Sequence, residues 1–179
     1  MTDAGPAAPP PASVGANEHV DTITENATQK LFMHILVKGL QAGSLLGCAI
    51  ALPLAVRHYV FRKAAGSYIP SALAVVERSA GVGTLLSGGL GVYKVWGTPL
   101  DEEGIRERVY KLHYNQGQKR TDYFSLVGML AGGAASAVLI APRTALGGAC
   151  VGAAAGVLAH VATSQESKKP SQMIEELKS

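Results

Sequence analysis

Four stretches of this chain carry no charged side chain: Gly39 to Val56, Ser79 to Tyr93, Tyr123 to Pro142 and Thr144 to Gln165, of 18, 15, 20 and 22 residues. A hydrocarbon core of about 30 Å takes roughly 20 helical residues at about 1.5 Å each. The third and fourth stretches meet that length as they stand, and the first just does. The second meets it only by starting near Pro70, which draws Glu77 and Arg78 below the membrane surface. A soluble helix would alternate polar and apolar faces, and these four do not. The predicted fold is therefore all-α: an integral membrane protein with four transmembrane helices at about 36–60, 70–95, 121–142 and 144–164, in a membrane domain over 30–165. Composition agrees, with 47% hydrophobic and only 16% charged residues, where a soluble domain carries about a quarter charged. A net charge of +3 from 16 Lys and Arg against 13 Asp and Glu is too balanced and too scattered for a nucleic-acid footprint.

The segments between and beyond the spans are polar. Residues 1–29 hold a Pro-rich run from Pro6 to Ala12 and acidic Asp3, Glu18, Asp21 and Glu25, without Arg or Lys. They read as a disordered or extended tail and not as a targeting peptide, which needs basic residues. Residues 166–179 read as a second polar tail. The 94–122 loop predicts a helix, with Thr98 as N-cap, Pro99 at the first position and Asp101, Glu102 and Glu103 in the first turn. Asn115 and Gly117 are its stop. Ile105, Val109 and Leu112 give it one apolar face, which is expected to lie on a membrane or a partner. Ala141 to Thr144 leaves room only for a tight helical hairpin, with Arg143 reaching back to a headgroup. Four crossings put both tails and the loop on one side with 11 of the 16 Lys and Arg. The positive-inside count favours that side as the inside without fixing the orientation.

Within the spans the recurrent pattern is a small residue every fourth position. Gly39, Gly43 and Gly47 stand in the first, Gly128, Gly132 and Ser136 in the third, and Gly148, Gly152 and Gly156 in the fourth, with a weaker set, Ala80, Thr84 and Gly88, in the second. Each set makes a ridge without side-chain bulk, along which another helix approaches to backbone contact. The first ridge is expected to pack on the fourth. Pro53 leaves the Ala49 carbonyl unpaired and is expected to bend the first span.

Catalytic chemistry finds no foothold in these residues. None of His19, His34, His58, His113 and His160 lies one helical turn from another His, Cys or carboxylate on an obvious shared face, so no metal site is expected. His160 continues the last glycine ridge and reads as a polar residue at a span end; His34 and Lys38 read as interface anchors. Ser44, Ser87 and Ser136 have no His or Asp partner along their helices, and the glycines from Gly81 to Gly91 lack the lysine and the preceding strand of a phosphate loop. Cys48 and Cys150 read as buried thiols, a bridge between them being open only if the first and fourth spans pair. Tyr93 and Trp96 fit an aromatic belt at the membrane surface.

Four short spans, the glycine ridges, the absence of a presequence and the tight hairpin before the last span resemble the import-translocase family of mitochondrial inner-membrane proteins, over roughly 31–163. The run Arg108-Val-Tyr-Lys-Leu112, then Asn115, Gln118, Arg120, Asp122 and Ser125 to Gly128, is similar to the loop-to-span junction of small four-span proteins of the same group. That family also holds an accessory subunit of respiratory complex I. The Arg, Asp and Trp-Asn cluster of the translocase members is not found around the second or third span, so the resemblance implies the accessory role first: a non-catalytic subunit that supports assembly and stability of the membrane arm, in the mitochondrial inner membrane. A translocase component is the alternative. Other membrane subunits and the lipid bilayer are the implied partners, with no nucleic acid and no small-molecule substrate. No cofactor is implied beyond a bound lipid such as cardiolipin. Glu77, Arg78, Arg120 and Asp122 are the candidate partner contacts, and Glu77 in particular is expected to meet a polar or basic group on another helix or a neighbouring subunit.

Overall fold

The computed structural model describes residues 21–61, 68–97 and 101–164. These are almost entirely helical, with no strand among the described residues. A helical turn at 21–24 leads to Asn26, whose left-handed φ of 55° an asparagine tolerates. Helix α1 then runs Ala27–Val56, 30 residues or about 45 Å. It continues through Pro53 and ends in a wider π turn, Arg57–Phe61. Helix α2, Ile69–Val92, opens with Pro70, whose fixed φ and missing N–H suit a first turn, and passes into a second π turn, Tyr93–Gly97.

Helix α3, Glu102–Tyr114, starts later than Thr98 and Pro99, which lie outside the described residues. Asp101 is the cap: its Oδ1 accepts from the Gly104 N–H at 2.9 Å. Asn115 closes α3 and at once caps α4, Gln116–Leu139, accepting from the Gln118 N–H at 3.1 Å. Gly117 is therefore not a stop but lies in the first turn of the next helix, because the asparagine side chain supplies the acceptor that starts it. A 3-10 turn, Pro142–Thr144, joins α4 to α5, Ala145–Thr163.

The helices run up, down, up and down as two hairpins. Helix α1 packs along α2 and α4 along α5, and α5 is the helix that packs on both members of the first hairpin. Lys38 meets Asp122, and Phe124 meets His160, so the start of α1, the start of α4 and the end of α5 share one end of the bundle. Helix α3 lies at that end. Its Ile105 and Val109 are buried with Ala27 and Val95, and Leu31 packs against them. The apolar face expected to lie on a membrane or a partner is thus spent on the chain's own α1.

Burial is inverted relative to a water-soluble bundle. The interior holds glycine, alanine and small polar residues, Ser44 at 0% exposure and Gln41 at 4%, while Leu85 at 77% and Val138 at 82% face outward. Three helical segments, Ala27–Val60, Gln116–Leu139 and Pro142–Thr163, are long and apolar enough to cross a membrane. Helix α2 has 24 residues, about 36 Å, but carries Glu77 and Arg78. An outward apolar belt on helices of this length suggests a membrane protein.

Candidate functional site: glycine seams and a polar clamp

Two seams of backbone contact hold the hairpins. In the first, a Cβ placed on Gly39 would stand 2.6 Å from the Gly83 carbonyl oxygen, one on Gly43 2.8 Å from the Ala80 Cα, and one on Gly47 2.7 Å from the Val76 Cα. All three lie well inside normal carbon contact, so no side chain fits without separating the helices. The facing positions on α2 are Val76, Ser79, Ala80, Gly83 and Ser87, so of the Ala80, Thr84 and Gly88 set that sequence spacing favours Ala80 alone lies in the seam. Thr84 instead donates to its own helix at the Ala80 carbonyl (2.8 Å), and Gly88 meets only the flexible end of Leu36. The row was legible: Ser79, Gly83 and Ser87 are also small residues four apart.

The second seam joins Gly128, Gly132 and Ser136 to Gly148, Gly152 and Gly156. Gly128 lies against the Gly152 carbonyl, Gly132 against Gly148 and Gly152, and Gly156 against Phe124 and Ser125. The expected pairing of the first ridge with the fourth is therefore replaced by pairing within each hairpin. A short connection closes a hairpin at lower entropic cost than a distant contact, and each ridge has a bare partner row in its own hairpin. Between hairpins Gly147 lies against Leu73, where a Cβ on the glycine would stand 2.8 Å from the Leu73 Cβ. Cys48 and Cys150 share one small cluster with Ala51, Val76 and Ala80 and both are free thiols.

Two polar devices close this bundle at opposite ends. At the α4–α5 turn, the buried Ser136 hydroxyl donates to the Thr144 carbonyl at 2.9 Å, and the two hydroxyls are 2.8 Å apart. The Thr144 hydroxyl also lies 2.7 Å from the Ala141 carbonyl. Ser136 thus serves twice, as a small ridge member and as the lock of the turn. At the other end, Asp122 Oδ1 accepts from Lys38 Nζ at 2.6 Å and from the Gln41 amide at 2.9 Å, Lys38 also donates to Gln41 Oε1 at 3.0 Å, and His34 Nδ1 is 3.8 Å from Asp122 Oδ2. This clamp ties α1 to α4. Asp122, a candidate partner contact, and His34 and Lys38, read as interface anchors, meet one another within the chain. Sequence spacing placed His34, Lys38 and Gln41 one turn apart on one helix, but the carboxylate that joins them comes from more than 80 residues away.

The remaining candidate contacts stay apart. Glu77 is half-buried and Arg78 exposed, and among the described residues neither has a hydrogen bond or ion pair. Arg120 lies exposed over the Phe124 ring, 5.4 Å from its centroid. Trp96 is exposed and edge-on to Phe32 at 5.6 Å. His58, which spacing did not single out beyond the metal question, stacks on Tyr68 at 4.9 Å, and the Tyr68 N–H donates to the Tyr59 hydroxyl at 3.0 Å, closing the open end of the first hairpin.

What the arrangement does physically is hold four helices at backbone distance with little side-chain bulk, leaving large apolar residues outside. No curated protein matches the chain. Residues 16–167, which take in both seams, the clamp and the loop helix, match DUF1757, a family described as proteins of unknown function, and the chain belongs to that family.

Proposed function

We propose that this chain is a non-catalytic subunit of a larger membrane assembly, with α2 as its fourth membrane-spanning helix, and that it braces neighbouring subunits. One observation carries the reading. Glu77 and Arg78 lie eight and nine residues into a 24-residue helix without partners among the described residues, in a bundle where Lys38, Gln41, Asp122, Ser136 and Thr144 are all paired. A charge at the centre of a lipid-facing helix costs about 2.5–3.5 kcal/mol, less towards the interface. A protein surface that pairs it removes that cost. Gly81, one turn beyond Glu77, and Gly89, three turns beyond Arg78, are exposed, and an added Cβ at either would meet nothing within 4 Å. Bare glycines with open space beyond them suit a helix approaching from outside.

The resemblance in the four spans makes an accessory subunit of mitochondrial respiratory complex I the specific form of this proposal, placed in the inner membrane. A translocase component is the second form. Solubilisation in mild detergent, native electrophoresis and identification of co-migrating proteins separate the two: respiratory subunits support the first, import components the second. Glu77→Gln and Glu77→Leu refine it. Loss of assembly with Leu alone indicates a hydrogen bond to a partner, and loss with both indicates an ion pair. Unchanged assembly with both would show that α2 makes no buried polar contact with a neighbour.

A further inference from the structure

At the loop end of the α4–α5 seam, Gln116, Gly117, Arg120, His160, Thr163 and Ser164 line a cleft of about 530 Å³, within the range of ligand sites. One aromatic ring organises its two basic side chains. Phe124 carries the Arg120 guanidinium over its face at 5.4 Å and has the His160 ring 6.0 Å away. No carboxylate pairs with Arg120 among the described residues, and the acid nearest to it in sequence, Asp122, is held by Lys38 and Gln41 of α1. The first turn of α4 carries no acidic side chain, so the N–H end of a 24-residue helix adds positive potential. The carbonyl end of α5 opposes it, but there the Thr163 hydroxyl donates to the Ala159 carbonyl at 2.7 Å and the Ser164 hydroxyl to that of His160 at 2.7 Å. Those hydrogen bonds add hydroxyl donors to two of the carbonyls at that end, Ala159 and His160.

Below the cleft the surface changes character at once. Tyr123, Val127 and Leu130 descend from Arg120 along one side of α4 and are all exposed. The apolar window of α4 is the least covered of the three membrane-length segments, 11% buried against 33% and 39%. A cationic cup standing over an uncovered apolar helix flank has the shape and polarity of one lipid molecule at a membrane surface. We propose that this cleft binds the phosphate headgroup of an anionic phospholipid of the surrounding bilayer, Arg120 and His160 meeting the phosphate and the acyl chains lying along Tyr123, Val127 and Leu130. An acidic segment of a neighbouring protein would satisfy Arg120 but not the apolar flank, and the flank favours lipid. The inference rests on the transmembrane reading and not on the identity of any partner subunit.

The test uses the full chain, reconstituted in phosphatidylcholine nanodiscs containing a minor fraction of phosphatidylglycerol, with retained lipid weighed by native mass spectrometry. Wild type is expected to keep phosphatidylglycerol in preference to phosphatidylcholine. Arg120→Gln should weaken that preference about fivefold, the effect of one basic side chain at an anionic surface. Arg120→Lys should keep most of it, and Arg143→Gln, at the opposite end, should leave it unchanged. Equal retention by wild type and Arg120→Gln, both confirmed folded by their melting curves, would overturn the site. So would binding of inorganic phosphate to the detergent-solubilised protein as tight as that of phosphatidylglycerol, or a photo-crosslinker at position 120 capturing only protein in native membranes. A chain that alkaline carbonate strips from membranes would instead defeat the transmembrane reading, a result distinguishable from an inserted chain without lipid preference.

Discussion

Glycine here is used for what it lacks. At Gly152 any side chain would occupy space already filled by the Gly128 backbone and lie 3.2 Å from the Gly132 Cα. Gly152→Leu is expected to force α4 and α5 apart and cost about 3 kcal/mol or more, the upper range for overpacking, read as a loss of thermal stability in detergent. Gly81 makes the opposite case. Its Cβ position is open, and alanine removes the entropic penalty of glycine in a helix, so Gly81→Ala should raise the stability of the isolated protein by about 0.5–1 kcal/mol. If a neighbouring helix lies there, Gly81→Leu should weaken assembly while leaving the isolated fold intact. The clamp offers a third measurement. Asp122→Ala removes the carboxylate shared by the Lys38 ammonium and the buried Gln41 amide and should cost about 1–3 kcal/mol. Asp122→Asn, which keeps an acceptor oxygen, should cost less.

At the scale of the element, α3 shows how a short polar helix holds its place. Its propensity is modest, so its ends and its docked face decide. Asp101 caps it, Glu102 and Glu103 face the positive end, Lys111 and His113 the negative one. Ile105 and Val109 bury against α1. Asp101→Ala should cost about 1 kcal/mol, visible as faster amide exchange across 102–105. Lys111 stands 2.6 Å from Glu107 one turn away, and this hydrogen bond and charge hold the Glu107 carboxyl below the usual value of 4.5. A lowered folded value means that the contribution is present above the ordinary range and disappears as pH falls through the lowered one. Protection of the α3 amides, taken relative to their intrinsic exchange rate, should therefore fall as the solution is acidified below about 4.5, and Lys111→Gln should reduce that pH dependence.

For the whole molecule, two hairpins zipped by backbone contact meet through α5 and through one polar clamp. Stability within each hairpin comes from packing and between them from fewer contacts, so the interface between hairpins is the weaker element. The arrangement also sets topology. The Asp101 end of α3 and the end of α5 lie at the clamp end, while Arg143 lies at the Ser136–Thr144 turn. If α2 crosses the membrane as proposed, single cysteines introduced at Glu103 and Ser164, in a chain with Cys48 and Cys150 replaced, should react with a membrane-impermeant reagent from one side, and one at Arg143 only from the other. Labelling of all three from the same side would refute a four-span arrangement.

Helix content, the lengths of the apolar stretches, the tight turn at Ala141 to Thr144 and the roster of bare ridge positions follow from local composition and spacing, because charge-free runs and small residues at every fourth place act within one helix. Ala80 lies in the seam while Thr84 and Gly88 stand beside it for the same reason: several small rows coexist on α2, and only the facing helix selects among them. The loop helix takes as its cap Asp101, an aspartate that spacing alone places in the first turn. What the tertiary structure alone decided was which ridge meets which, that Asp122 turns inward to Lys38 and Gln41, that the apolar face of α3 covers α1, and that Arg120 and His160 come together around Phe124. Each of these depends on residues far apart in the chain, and their meeting is set by the order in which short connections fold helices back and by which surfaces are bare enough to close, neither of which any single segment contains.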